Sequence, residues 1–180
     1  MTSGDTPDFT PADTSTINPD PKPHIKPDPK PDKVSTLQDH LGYWLRYVSN
    51  NVSLNFKQRV EAQDVTVAQW VLLRELYDLQ QANPSQLAEK LGMTRGAISK
   101  LIDRLCEKNL IYKAFSQHDR RYQHITLTDS GRKLVPTLAK LADENDHAYF
   151  GHLTENQKFQ LLSTLKQIVQ RQKWNQTPVD

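Results

Sequence analysis

Residues 83–128 are punctuated in a way that few folds accommodate. Asn83-Pro84-Ser85-Gln86 reads as a helix start. The asparagine caps, the proline sits at the first helical position where its missing amide costs nothing, and the glutamine closes a capping box. Leu87, Ala88 and Leu91 mark one face, and Gly92 supplies a left-handed stop after about two turns. Thr94 caps a second helix at once, with Met93 and Ile98 placed as a hydrophobic staple. Ile98, Leu101, Ile102 and Leu105 recur at steps of three and four, and Asn109 suits a left-handed closure. Two helices joined by so tight a turn predict a helix-turn-helix. Ile111 to Phe115 and Tyr122 to Leu127 follow as strand-like segments around a polar, charged connection. A β-hairpin directly after a helix-turn-helix predicts a winged helix.

The flanks are helical too. Leu41, Leu45, Val48, Val52, Phe56 and Val60 form one stripe, widened by Trp44 and Tyr47. They predict a helix from near Ser35 to residue 62, about 42 Å long at 1.5 Å per residue. A helix that long on a small domain is expected to pack on something outside its own monomer. Thr66 and Gln69 form a second capping box, before a buried face of Trp70, Leu73, Leu76 and Tyr77 that fades near Gln80. Thr128 caps a helix carrying Leu134, Leu138 and Leu141 to about Phe150, with a kink expected at Pro136. Thr154 and Gln157 cap the last helix, with Leu153 at the staple position. Its apolar face is Leu161, Leu162, Leu165, Ile168 and Val169, and it ends near Lys173.

Ahead of all this lies a different kind of chain. Eight of the 11 prolines fall before residue 33, and Pro-Asp-Pro-Lys-Pro occurs at 19–23 and again at 27–31. Proline removes amide donors and fixes φ, and there is little here to bury, so 1–34 is expected to be a disordered Pro/Asp/Lys-rich tail with polyproline II character. A short C-terminal tail spans 174–180. The 36% apolar content of the 180 residues is thus an average over unlike segments. No stretch of about 18 apolar residues exists, which excludes a membrane span, and the first residues do not read as a secretory signal. The single cysteine, Cys106, excludes an internal disulfide or a multi-thiolate zinc site, and a reducing cytoplasm is the default.

Net charge is +2, but it is unevenly spread. Residues 83–133 hold ten basic and five acidic residues, net +5, while 1–33 are −2, 34–82 are −1 and 134–180 are neutral. A positive block coinciding with the winged helix is the footprint of a polyanion-binding surface, though a merely solvated face carries charge too.

The solvent side of the second helix of the pair holds Arg95, Gly96, Ser99, Lys100 and Asp103, with Thr94 at its start. The N-terminal half of such a helix enters the major groove, where Arg and Lys suit guanine and Ser serves either base. Gly96 lowers helix propensity but lets a backbone approach closely. At the hairpin tip, Asp119, Arg120 and Arg121 offer guanidinium groups for a minor groove, with Asp119 placed to hold Arg121. Asp143 and His147, four residues apart, could face one side of a helix, but His152 is off-register, so a structural metal site, which needs three or four convergent ligands, is only a weak alternative. Cys106 is expected to be a buried, inert thiol. No Gly-x-Gly-x-x-Gly, P-loop, Gly-x-Ser-x-Gly or His-Glu-x-x-His motif occurs, so no catalytic residue, cofactor or metal is expected, and the chain reads as a non-enzyme.

The order of elements resembles the MarR family of bacterial transcriptional regulators. Leu87-Ala88-Glu89-Lys90-Leu91-Gly92-Met93-Thr94 is similar to the start of the family's helix-turn-helix. Leu101-Ile102-Asp103-Arg104-Leu105-Cys106-Glu107-Lys108-Asn109-Leu110-Ile111 is similar to its recognition-helix exit, with Asn109 where Gly is common. Asp119-Arg120-Arg121, Ile125-Thr126-Leu127-Thr128 and Gly131 resemble its wing. The likeness covers roughly 35–173. It implies a mainly α fold with a small β-hairpin wing: a winged helix-turn-helix (66–128) flanked by N-terminal (35–62) and C-terminal (129–173) dimerisation helices. It further implies a homodimer on a pseudo-palindromic double-stranded DNA operator in the bacterial cytoplasm and nucleoid, with repression relieved by a small, often aromatic, effector. Arg46, Trp70 and Arg74 are candidates to line the effector pocket. Redox-sensing members carry a cysteine at the start of the first helix, and this chain has none there. The competing reading is a winged-helix module for protein contacts without DNA.

Overall fold

The computed structural model describes residues 34–115 and 123–174. Six helices and three short strands run in the order α1 (Leu41–Glu61), α2 (Val67–Leu79), β1 (Gln81–Ala82), α3 (Pro84–Lys90), α4 (Arg95–Glu107), β2 (Ile111–Phe115), β3 (Gln123–Leu127), α5 (Asp129–Phe150) and α6 (Glu155–Arg171). No described helix is long and apolar enough to cross a membrane.

Local chemistry explains most boundaries. The capping boxes at Thr66/Gln69, Asn83/Gln86 and Thr154/Gln157 are all closed in both directions. Thr94 and Thr128 each accept from the backbone amide three residues on, at 3.2 and 3.0 Å. Helix ends close by one repeated device. Gly92 (φ 62°) and Asn109 (φ 54°) are left-handed. The amide of each bonds back to Glu89 or Cys106, and the following amide to Ala88 or Leu105. This is the paired closure of a Schellman motif, and asparagine serves it as glycine does.

Three boundaries and faces differ from the sequence expectation. The first helix begins at Leu41, not near Ser35. A 3-10 turn at Leu37–Asp39 precedes it, His40 is extended and gives no side-chain cap, and Trp44 Nε1 donates to the Gln38 carbonyl at 3.0 Å. At 21 residues the helix spans about 31 Å. On α2 the buried face is Gln69, Leu72, Leu73 and Leu76, while Trp70 and Tyr77 are half-buried at the edge of the core. The hairpin is also not alone. β1 pairs with β3 antiparallel, Gln81 opposite Thr126 and Ala82 opposite Ile125, giving a three-stranded sheet in the order β1-β3-β2. α5 continues through Pro136, which has no amide to donate to the Arg132 carbonyl.

The core lies where α2, α4, β3 and α5 converge, with Leu72, Leu76, Ile98, Leu105, Ile125 and Leu138 all fully buried. At the wing root the chain passes backbone against backbone. A Cβ on Gly131 would stand 2.0 Å from the Leu110 carbonyl oxygen, which already accepts from the Thr128 amide at 3.0 Å. Elsewhere the apolar surface is left open. Along α1, Val60 is buried and Phe56 half-buried, but Leu45 is 49% and Leu41 82% exposed. α6 has no buried residue at all, although its apolar stripe is the one expected. These surfaces and the α5–α6 corner frame an open groove of about 970 Å³, lined among others by Trp44, Leu45, Val48, Phe150, Leu161 and Leu165.

Candidate nucleic-acid interface

α4 is presented as a groove-reading helix must be. Its inner face, Ile98, Leu101, Ile102 and Leu105, is sealed in the core. The outer face carries Arg95, Gly96, Ser99, Lys100 and Asp103, all exposed, with Thr94 at the cap. The Thr94 hydroxyl accepts from the Ala97 amide, so the residue is occupied in starting the helix while its hydroxyl proton stays available. A Cβ at Gly96 would meet nothing within 4 Å, so the fold gives no packing reason for glycine there.

The positive block sorts into engaged and unengaged charge. Lys90 pairs with Glu75 at 2.6 Å, Lys108 with Asp64 at 3.0 Å and Lys113 with Asp103 at 2.5 Å. Arg132 donates to the Gln80 side chain at 3.0 Å, holding that residue in its left-handed turn together with the Gln80 bond to the Tyr77 carbonyl. Among the described residues, neither Arg95 nor Lys100 enters an ion pair. Arg104, in the C-terminal half of α4, is likewise exposed and enters no ion pair among the described residues, so α4 carries three unpaired cations, two of them in its N-terminal half. Asp119, Arg120 and Arg121 lie outside the described residues.

The remaining sequence candidates lie on two helices, Arg46 on α1 and both Trp70 and Arg74 on α2. Arg46 is exposed on the N-terminal half of α1. Trp70 packs against the core edge. Arg74, one turn further, pairs with Asp78 at 2.5 Å and lies 5.8 Å over the Tyr77 ring. None of the three lines the groove between α1 and α6. Cys106 is half-buried; burial pushes its thiol up, Lys113 pulls the other way, and Asp103 and Glu107 add to the rise. Among the described residues no three His, Cys, Asp or Glu side chains converge as a metal site would require. The sequence reading missed Lys113, which reaches the outer face of α4 from the wing. The period-two pattern of β2 puts it on the core side, and that is the signal that could have found it.

A family model described as the MarR family matches residues 63–121. The HTH-type transcriptional regulator SarZ of Staphylococcus haemolyticus is 23% identical over 137 residues, 76% of this chain and 92% of that protein. The HTH-type transcriptional regulator MgrA of Staphylococcus aureus is 30% identical over 99 residues, 55% of this chain and 63% of that protein. The crystal structure of an S. aureus MepR–DNA complex superposes with a TM-score of 0.66 at 29% identity, over 73% of this chain and 98% of that one.

Proposed function

Because this chain belongs to the MarR family, we propose that it is a dimeric, sequence-specific reader of double-stranded DNA that regulates transcription, as a repressor released by a small aromatic ligand. The observation that carries the reading is the outer face of α4. It combines Arg95 and Lys100, which enter no ion pair among the described residues, with exposed Ser99 and a glycine that packing does not require. Arginine and lysine there reach base edges, and Gly96 lets the sugar-phosphate or base edges approach the helix backbone. Arg120 and Arg121 supply the wing contact. The MepR–DNA complex supports the same use of this architecture.

The second copy is argued from the bare apolar surface. The N-terminal half of α1 and all of α6 expose leucines, valines and aromatics, and both helices line the groove. Contiguous apolar surface of this kind marks an interface, and a two-fold axis through it presents two α4 helices to one duplex. The test compares selected and random duplexes. Arg95→Ala and Lys100→Ala are expected to cost roughly 1–3 kcal/mol on the selected site and to relax base preference there. Equal losses on both duplexes would reduce these residues to phosphate contacts.

A further inference from the structure

The outer face of α4 is not uniformly basic. Asp103 lies one turn beyond Lys100, on the side that would meet a duplex. A bare carboxylate there opposes binding of a polyanion. Asp103 is not bare: its Oδ1 accepts from Lys113 Nζ at 2.5 Å. This bond crosses from α4 to β2.

The register shows what the bond does. Ile111 lies opposite Leu127 at the hairpin root, and both are buried. Two residues on, Lys113 lies opposite Ile125, on the same face of the strand as Ile111. Ile125 is fully buried, but Lys113 is exposed. Here the hairpin rises out of the apolar layer, and an ion pair takes over its attachment to α4. The hydrogen bond to Asp103 raises the Lys113 ammonium above the ordinary lysine range. The side chains are 56% and 35% exposed, so the pair adds little to global stability. Its effect is on orientation: β2 leads directly into the stretch that holds Arg120 and Arg121.

We propose that Asp103 and Lys113 are positioning residues: their ion pair sets the wing against the recognition helix, so that Asp103 strengthens DNA binding although its own charge opposes it. This rests on the reading of the chain as a DNA-binding protein. Charge alone and positioning predict opposite signs, which makes the test sharp. The full chain is titrated, over a range of salt, on the duplex that the wild type selects. Asp103→Asn is expected to weaken binding three- to ten-fold with an unchanged salt slope, and Lys113→Gln to weaken it by a similar factor. The double variant is expected to be no weaker than the weaker single. Lys113→Arg, which keeps the pair, and the swap Asp103→Lys with Lys113→Asp are expected to recover most of the loss. Tight binding by Asp103→Asn, equal to or above wild type, overturns the proposal, as does multiplication of the two losses in the double variant. Selection of no duplex by the wild type overturns the DNA reading and this inference together. Wild-type binding with a neutral Asp103→Asn overturns the inference alone.

Discussion

Gly96→Ala separates what the fold needs from what the ligand needs. Gly96 is the second residue of α4, its φ is not left-handed, and an added Cβ has no neighbour within 4 Å. Alanine exceeds glycine in helix propensity by about 0.5–1 kcal/mol, and the low end applies in a first turn. Folding stability should therefore rise by about 0.5 kcal/mol, read as a small increase in Tm at fixed protein concentration. DNA binding should move the other way. A methyl group placed between the helix backbone and the duplex removes close contact in both halves of a dimer. A ten-fold loss corresponds to about 1.4 kcal/mol, and at least that is expected on the selected site. The assay is fluorescence anisotropy with labelled duplex, paired with a thermal melt of the same preparations. A variant that binds as tightly as wild type would refute the close approach. One that melts lower would refute the argument that packing does not require the glycine.

Other perturbations reach the wing root, the open apolar face, the thiol and the wing. Gly131→Ala should destabilise by more than about 3 kcal/mol, because its Cβ would sit 2.0 Å from a backbone oxygen that cannot swing aside; a melt within a degree of wild type would contradict the packing at the wing root. Leu45→Lys should leave a folded monomer where the proposed dimer forms in the wild type, since Leu45 is already half exposed in the single chain; sedimentation at the dimer mass would place the second copy elsewhere. Cys106 should react with iodoacetamide more slowly in the native protein than in urea at the same mildly alkaline pH, because burial disfavours its thiolate; equal rates would show an accessible, unperturbed thiol. Arg121→Ala should weaken binding to all duplexes and flatten the salt dependence; unchanged affinity and slope would remove the wing from the interface.

Elements set by local chemistry were legible in the sequence. Capping boxes, the Gly92 and Asn109 closures and the apolar face of α4 act over three to five residues, and each was found where expected. What escaped depends on distant residues. β1 has two residues, and only its pairing with Thr126 and Ile125 makes it a strand. The stripe on α1 was visible, yet nothing local says that its first half stays exposed among the described residues. Asp103 counted as a solvent-side residue by helical spacing, but Lys113 on another element engages it. Asn145, buried on α5, donates to the Val52 carbonyl at 3.3 Å and leaves its own side-chain oxygen unpaired. No helical period announces that.

If α4 reads base edges from a two-fold symmetric dimer, the DNA it binds carries the same symmetry. Selection of bound duplexes from a random pool, followed by alignment of the enriched sequences, reads that symmetry out. Two inverted half-sites are expected, with centres one helical turn apart, about 10 base pairs or 34 Å. A pool with no enriched sequence, or a single half-site without its inverted mate, would contradict it.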